Sequence, residues 1–424
     1  MIRILLGGSP CTKWSIAQKN NRETEPKGEG WELFRNYLIA KEKYKPDYFL
    51  YENNKSAAAP IKAQIRKELN AMDIDSRFLA PGQTQYIEIN SALVSAQNRQ
   101  RFYVHNMPGV QLPEDRGILL KDVLESGTDL SQKEKAYTLT TRCGEGAIPE
   151  DTLAKHRHTM VAEPIKIREG CKLIVSDESI RNTNKDGTGT SQGYTINYID
   201  GKSATLTSGH ASKTKIIEPI RIGTIESNAK GDHDSKQYRV YSPEGKATTL
   251  CGEGGGIGAK TGLYACPADG KAHPIYRVLN GLITIKGKQY PIKLPDGLYI
   301  IRKLTVKECC RLQTFPDNYF VKADGSPLVS NTQAYKQLGN SWTIEVIKHI
   351  LQNVPNIKNE PIEVLSMYDG ISAGQLGLKQ LGANVISYKS TEIDKYAIQT
   401  TQYHFPRTAQ LGDAFAVRNE DWRF

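Results

Sequence analysis

The chain opens on Ile2–Leu6, apolar but for Arg3, and this run is broken by Gly7-Gly8-Ser9-Pro10-Cys11. A short, mainly apolar run ended by glycine and proline predicts a buried strand followed by a sharp turn. Trp31–Lys43 then carries apolar residues at helical spacing, and Tyr48–Tyr51, after Pro46, reads as a second buried strand. Strand, turn, helix, strand is the order of a parallel α/β sheet. The same grammar returns late in the chain. Val306–Leu312 and Thr343–Leu351 have helical texture, Glu363–Met367 reads as a strand, a helix runs through Gln380, and Val385–Ser387 is a further strand. From about 123 to 300 the texture differs: Gly, Thr, Ser and Lys dominate, and short strand-like runs are cut by Asp-Gly and Glu-Gly turns. The expected organisation is α/β for residues 1–122 and 301–424, and a smaller β-rich, loop-rich domain over 123–300. That middle region repeats weakly. Gly201–Leu206 returns as Gly245–Leu250, and Pro-Ile steps fall at 164, 219 and 274. Chance reuse of strand-and-turn pieces and a duplicated unit both account for this.

Composition narrows the class. The chain has 424 residues, 38% hydrophobic and 24% charged, which is ordinary for a globular protein of two or three domains. Stretches of about 18 apolar residues are absent, which excludes a membrane-spanning helix, and the first apolar run is too short for a signal-peptide core. Seven cysteines include no C-x-x-C pair, so neither a zinc ribbon nor a thioredoxin motif is supported, and no metal site is expected. Few cysteines in a long chain point to a reducing, cytoplasmic compartment. The formal charge of +10 permits a polyanionic partner.

Four clusters carry candidate chemistry. Cys11 follows the first strand on a Gly-Gly-Ser-Pro turn, at the sheet rim where ligand crevices form; it is a nucleophile or simply a buried cysteine. Glu52, in Tyr51-Glu52-Asn53-Asn54 at the end of the next strand, would lie at the same rim. There it could protonate a ring nitrogen, or it is a solvated loop acid. Gln97-Asn98-Arg99-Gln100-Arg101 precedes the apolar run Phe102–Val104. Arginines two apart on a strand share a face and can hold a base oxygen, a phosphate or a carboxylate; a solvent-facing pair is the alternative. Asp369-Gly370-Ile371-Ser372-Ala373-Gly374 follows the strand Val364–Met367, and acids mark two further strand ends at Glu392 and Asp413. Glycine-rich strand-to-helix turns admit the backbone-proximal groups of a cofactor, and successive strand-end acids suit ribose hydroxyls and an adenine amine.

Taken together the clusters resemble the DNA cytosine-C5 methyltransferases in a circularly permuted order. The glycine motif that opens most members stands near the end, as Met367–Gly374, and the Pro-Cys motif that normally follows it begins the chain. Arg302–Asp317 and Gln337–Trp342 look like the family's last two motifs, and the wording of these turns is closest to the animal de novo DNA methyltransferase branch. The resemblance covers about residues 1–110 and 302–415. It implies a Rossmann-like methyltransferase sheet assembled from both chain ends, with 123–300 as a target-recognition domain; Thr-Leu steps at 138, 205 and 249 suit that reading, as one enlarged unit or several.

The resemblance also implies roles. Cys11 would attack C6 of cytosine, Glu52 would bond N3 and the exocyclic amine, Asn53 would order the turn, and Arg99 and Arg101 would bond O2 and hold the Glu–Cys geometry. S-adenosylmethionine would sit on Tyr368, Asp369, Gly370, Ile371 and Gly374. Glu392 and the adjacent Ile393 would lie at the ribose, Asp413 at the adenine amine, and Asn340, Ser341 and Trp342 would close the pocket. A cytosine in double-stranded DNA must be flipped out to reach such a site. The loop Thr12–Gly30, with Lys13, Ser15, Arg22 and Lys27, is composed to touch phosphates. Asn54 stands where the family has Val, and Thr12 where bacterial members have Gln. An RNA cytosine methyltransferase, a non-catalytic DNA-binding homologue and transfer of another group are the rival readings. The large basic insertion favours DNA. A restriction endonuclease partner is compatible with this picture, and the sequence does not fix the oligomeric state.

Overall fold

The computed structural model describes residues 1–15, 22–72, 83–126, 128–129, 134–139, 149–155, 159–164, 173–175, 221–225, 239–241, 263–264, 275–285 and 288–424. The repeated hexapeptides and their Thr-Leu steps lie outside these residues, as do parts of all three Pro-Ile steps. The chain divides into two compact units, one of residues 1–123, 133–146 and 305–424, the other of 124–132 and 147–304.

The larger unit is built on one eight-stranded sheet. In chain order its first members are β1 (Ile2–Gly7), β2 (Tyr48–Asn54), β3 (Ala71–Met72), β4 (Thr84–Asn90) and β5 (Gln100–His105). Among the described residues the smaller unit supplies the next ten strands. These are β6 (Thr128–Asp129), β7 (Met160–Pro164), β8 (Leu173–Val175), β9 (Arg221–Ile225), β10 (Arg239–Tyr241), β11 (Leu263–Tyr264), β12 (Ile275–Leu279), β13 (Leu282–Ile285), β14 (Lys288–Pro291) and β15 (Gly297–Lys303). The large sheet is completed by β16 (Ile362–Met367), β17 (Val385–Thr391) and β18 (Ala409–Gln410) in the order β18-β17-β16-β1-β2-β5-β4-β3. Strand β1 is therefore central. It runs parallel to β16 on one side, with Ile2 opposite Ile362 and Gly7 opposite Met367, and parallel to β2 on the other, with Gly7 opposite Tyr51. Strands β5 and β4 continue antiparallel. Both ends of the chain thus form one Rossmann-like α/β sheet. In the smaller unit, strands β14-β13-β12-β15-β7-β6 make an antiparallel sheet and β11-β10-β9-β8 a second one, whose β10–β11 pair is parallel.

Alternation along β1 explains its position. Ile4 and Leu6 belong to a core on one face with Val346, Ile347 and Ile350 of α6 (Ile344–Leu351), while Leu5 joins Phe34 and Tyr37 of α1 (Glu29–Tyr44) on the other. A strand buried on both faces is apolar wherever it is covered, and in β1 only Arg3, at its half-buried start, departs from that, which is why the signal is so plain in sequence. Helix α2 (Ala59–Glu68) adds Ile61 and Ile65 to the α1 side. The smaller unit has its own core of Met160, Val278, Ile283, Tyr299 and Ile301, and carries helix α3 (Pro149–Lys155). Four more helices complete the larger unit: α4 (Val306–Leu312), α5 (Asn331–Asn340), α7 (Ala373–Leu381) and α8 (Lys395–His404). Thr305 and Glu308 cap α4 reciprocally, Thr305 Oγ1 accepting from the Glu308 amide at 3.1 Å and Glu308 Oε2 from the Thr305 amide at 2.8 Å.

Candidate active site

The carboxyl ends of the parallel strands bring the motif residues to one rim. Strand β1 ends at Gly7, and a turn of 3-10 helix starts at Cys11, whose carbonyl accepts from the amides of Trp14 and Ser15. Glycine is needed where the chain leaves the sheet. A Cβ on Gly7 would stand 2.6 Å from the Tyr37 ring, and one on Gly8 would stand 3.0 Å from Glu52 Oε2 and 3.2 Å from Trp342 Nε1. Asn53 ties the next strand end to this turn: its amide nitrogen donates to the Ser9 carbonyl at 3.0 Å and to the Tyr51 hydroxyl at 3.1 Å. Ser9 Oγ and Tyr51 Oη share a 2.7 Å hydrogen bond, so the Cys11 turn is pinned from below by buried groups.

Glu52 is 8% exposed and gripped from two sides. Arg101 Nε lies 3.0 Å from Oε1, and the Trp342 indole donates to Oε2 at 2.9 Å. Arg99, equally buried, does something different. It donates to the carbonyls of Leu139, Gly339 and Ser341 at 3.2, 3.2 and 2.8 Å, stapling the Gly339–Ser341 backbone to the rim. Burial, and then the cation of Arg101, push the Arg99 guanidinium down, while Glu52 and Cys11 act on it in the opposite sense. The arginine pair therefore divides its work, one holding the acid and one holding the chain that carries Trp342. Gln313, absent from the sequence-derived site, joins Arg99 there: its amide nitrogen donates to the Leu338 carbonyl at 2.8 Å, and its oxygen accepts from Thr343 Oγ1 at 2.8 Å.

The second half of the site is the turn after β16. Tyr368, Gly370 and Ser372 take φ of +61°, +59° and +57°. Left-handed backbone is disfavoured for Tyr and Ser, so the turn is held by its surroundings. Thr391 Oγ1 accepts from the Tyr368 amide at 3.0 Å, Glu392 Oε2 from the Gly370 amide at 2.8 Å, and the Tyr319 hydroxyl donates to the Ile371 carbonyl at 2.9 Å. Gly374 lets α7 press onto β1, since a Cβ there would sit 2.6 Å from Leu6. The Asp369 carboxylate turns inward, accepting from Tyr388 at 2.7 Å and from Ser372, and burial raises its pKa. Ile371 is buried as well, so these two shape the turn through packing and inward bonds. Gly370 has open space where a Cβ would stand and Ile393 is an apolar side chain that is 74% exposed, while the half-buried Glu392 also accepts through Oε1 from the amides of Ile393 and Asp394, each at 2.8 Å. Asp413 caps the 3-10 helix Ala414–Arg418 through the Phe415 amide at 2.9 Å. Asn340 is the exposed last residue of α5.

Residues 16–21 of the expected DNA-contacting loop lie outside the described residues; its flanks are committed to internal bonds. Arg22 donates to the carbonyls of Trp14 and Ser56, and Lys13 pairs with Glu29 at 3.0 Å. Lys27 is exposed. Trp14 is fully buried, and its indole donates to Glu23, which also accepts from the Gly30 amide.

An acid clamped by a guanidinium and an indole, against the Gly8 position of the cysteine turn, suits addition chemistry on a polar ring. Comparison with known proteins agrees. The profile of C-5 cytosine-specific DNA methylases matches residues 1–356. The orphan methyltransferase M.Rho11sI of Bacillus phage rho11s is 27% identical over 83% of this chain and 84% of its own. The orphan methyltransferase M.SPRI of Bacillus phage SPR is 26% identical over 83% and 82%. The type II methyltransferase M.HhaI of Haemophilus parahaemolyticus is 31% identical over 38% of this chain and 36% of its own. The chain belongs to the C-5 cytosine-specific DNA methylase family and is a DNA cytosine-C5 methyltransferase.

Proposed function

We propose that Cys11 is the nucleophile, that Glu52 is its partner on the base, and that S-adenosylmethionine is the methyl donor. The grip of Arg101 and Trp342 on Glu52 beside the Cys11 turn is the observation that carries this reading. A carboxyl so oriented can bond N3 and the exocyclic amine of a flipped cytosine, lowering electron density at C6. The Cys11 thiolate would add to C6 and the electron pair would move to C5, which would take the methyl group as its bond to the sulfonium sulfur breaks, leaving a neutral thioether. Removal of the C5 proton by a base then expels the thiolate and restores the ring. Arg101 keeps Glu52 in place, and Arg99 orders the Gly339–Ser341 backbone that presents Trp342.

The outward side of the glycine turn fits S-adenosylmethionine, which supplies an electrophilic methyl on a sulfonium. Glu392 is assigned to the ribose hydroxyls, which its carboxylate would accept from in addition to the amides of Gly370, Ile393 and Asp394; the exposed Ile393 offers an apolar face, and Asp413 stands at a neighbouring strand end. Gly370 leaves room for close approach. Asn340, Ser341 and Trp342 are assigned to close the cofactor pocket. The parallel pairing of β1 with β16 supports a circularly permuted family order, because joining the end of the chain to its start would restore the glycine motif ahead of the Pro-Cys motif.

The β-rich unit is assigned to target recognition, reading bases in the major groove of double-stranded DNA. Lys13, Ser15, Arg22 and Lys27 are proposed to reach phosphates when the loop rearranges on DNA. Two relatives are named orphan methyltransferases, so the reading needs no endonuclease partner, and a bacterial or phage-infected cytoplasm is its natural setting. Among the described residues no helix is long and apolar enough to cross a membrane.

Incubation with S-adenosylmethionine and duplex DNA carrying 5-fluorocytosine tests the chemistry, because fluorine cannot leave C5 as a proton. A covalent protein–DNA complex that the Cys11→Ala variant does not form is the expected result. A complex formed equally by both would remove Cys11 from its role.

A further inference from the structure

Helix α1 touches both halves of the site, through neighbouring positions. Tyr37 lies under Gly7, in the turn that leads to Cys11, and Tyr37 and Phe34 each stand with ring centroids 5.0 Å from Tyr51. One turn earlier the helix meets the glycine turn: the Tyr368 hydroxyl donates to the Leu33 carbonyl at 2.8 Å and accepts from Asn36 Nδ2 at 3.4 Å. Asn36 is fully buried, and its oxygen accepts from Arg418 Nε at 2.6 Å. Arg418, at the end of the 3-10 helix that Asp413 caps, also reaches Glu32 of α1 through its carboxylate at 2.7 Å and its carbonyl at 3.2 Å. Both polar atoms of Asn36 are thereby used, one on the Tyr368 strand end and one on the Asp413 strand end.

We propose that Asn36 and Arg418 are positioning residues for cofactor binding: they lock the Tyr368 side chain onto α1, fixing the glycine turn and the Asp413 turn at a set separation from the Cys11 turn. The inference rests on the assignment of that crevice to S-adenosylmethionine. Tyr368 in left-handed backbone has no intrinsic reason to stay there. The network supplies one, since freeing its hydroxyl releases the side chain that pins the turn. Asn36 and Arg418 sit in none of the motifs and reach the crevice only through Tyr368 and the 3-10 helix, so their effect should appear in cofactor affinity before it appears in DNA recognition.

The experiment is isothermal titration of S-adenosylmethionine into wild type, Tyr368→Phe, Asn36→Asp, Arg418→Ala and Arg418→Lys, with KM for the cofactor and for duplex DNA measured on the same preparations. Asn36→Asp keeps an acceptor for Arg418 and loses the donor to Tyr368 while adding a buried carboxylate that Arg418 faces, so the melting temperature of each variant is measured beside its affinity to separate the functional bond from the fold. The expected result is a rise of about fivefold to tenfold in Kd for the cofactor in Tyr368→Phe, Asn36→Asp and Arg418→Ala. KM for DNA should stay within about twofold, and Arg418→Lys should recover part of the loss. Wild-type cofactor affinity in all variants, with any change confined to melting temperature, overturns the inference alone. Failure of the wild-type protein to bind S-adenosylmethionine overturns the cofactor assignment and the inference with it.

Discussion

Replacing Glu52 by Gln separates the electrostatic work of the site from its shape. The carboxylate offers two acceptor oxygens to two fixed donors, Arg101 Nε at 3.0 Å and Trp342 Nε1 at 2.9 Å. Glutamine of the same shape has one acceptor, so either the guanidinium or the indole meets an N–H. The Glu52 and Arg101 side chains are only 11% and 10% exposed, which puts the pair near the buried limit, where removing one partner costs about 3–5 kcal/mol. Arg101 keeps a 2.8 Å bond to the Gln100 carbonyl, so the low end, about 3 kcal/mol, is expected. At about 2–4 °C per kcal/mol for a unit of this size, the melting temperature should fall by about 6–12 °C. Methylation of duplex DNA, followed by nucleoside mass spectrometry well below both transitions, should fall by about 10² to 10⁴, the range for loss of a positioned acid. The double variant Glu52→Gln, Arg101→Met removes the orphaned cation as well; it should regain part of the stability and none of the activity. A Glu52→Gln protein that melts and methylates like wild type would refute the reasoning, because neither the ion pair nor the acid would then matter.

Three further outcomes follow from the same geometry. Cys11→Ala, at a half-buried position on an exposed turn, should fold as wild type by calorimetry and form no 5-methylcytosine, and residual methylation would move the nucleophile elsewhere. Gly7→Ala forces a methyl to within 2.6 Å of the Tyr37 ring and should cost about 1–3 kcal/mol in urea unfolding, with no loss if the ring turns away freely. His105 is buried and its imidazole is pushed down to about 4 by that burial. Between pH 4 and pH 6.5 the unfolded chain therefore holds the extra proton, and stability rises with pH across that window. Urea unfolding of wild type against His105→Leu from pH 7 to pH 4 should show wild type losing on the order of 3 kcal/mol more than the variant, and parallel curves would contradict a neutral buried histidine.

The sheet was legible at its centre and faint at its edge, for one physical reason. Strands β1, β2 and β16 are covered on both faces, so apolar residues dominate them, interrupted in β1 only by Arg3 and in β16 by Glu363 and Ser366, and their rims could be placed from sequence. Strand β4, with the sequence Thr-Gln-Tyr-Ile-Glu-Ile-Asn, has one wetter face and drew no assignment. The site divides in the same way. Cys11, Glu52 and the glycine turn stand where strands end, and strand ends are a local property. What each side chain touches is not. Trp342 reaches Glu52 across 290 residues of sequence, and Arg418 reaches Asn36 across 382. Periodicity fixes the face a residue occupies and leaves its partner open. Arg99 and Arg101 shared a pattern in sequence and divided their tasks in space, because Arg101 meets the acid and Arg99 meets the carbonyls of Leu139, Gly339 and Ser341. Asp369 shows the converse: the resemblance placed it among the cofactor-binding residues, and its carboxylate instead satisfies Tyr388 and Ser372 inside the turn. An acid that braces a turn and an acid that meets a ligand look alike in one dimension. Here both carboxylates brace the fold, Asp369 by accepting from Tyr388 and Ser372 and Glu392 by accepting from the amides of Gly370, Ile393 and Asp394, and the sequence alone shows neither set of partners.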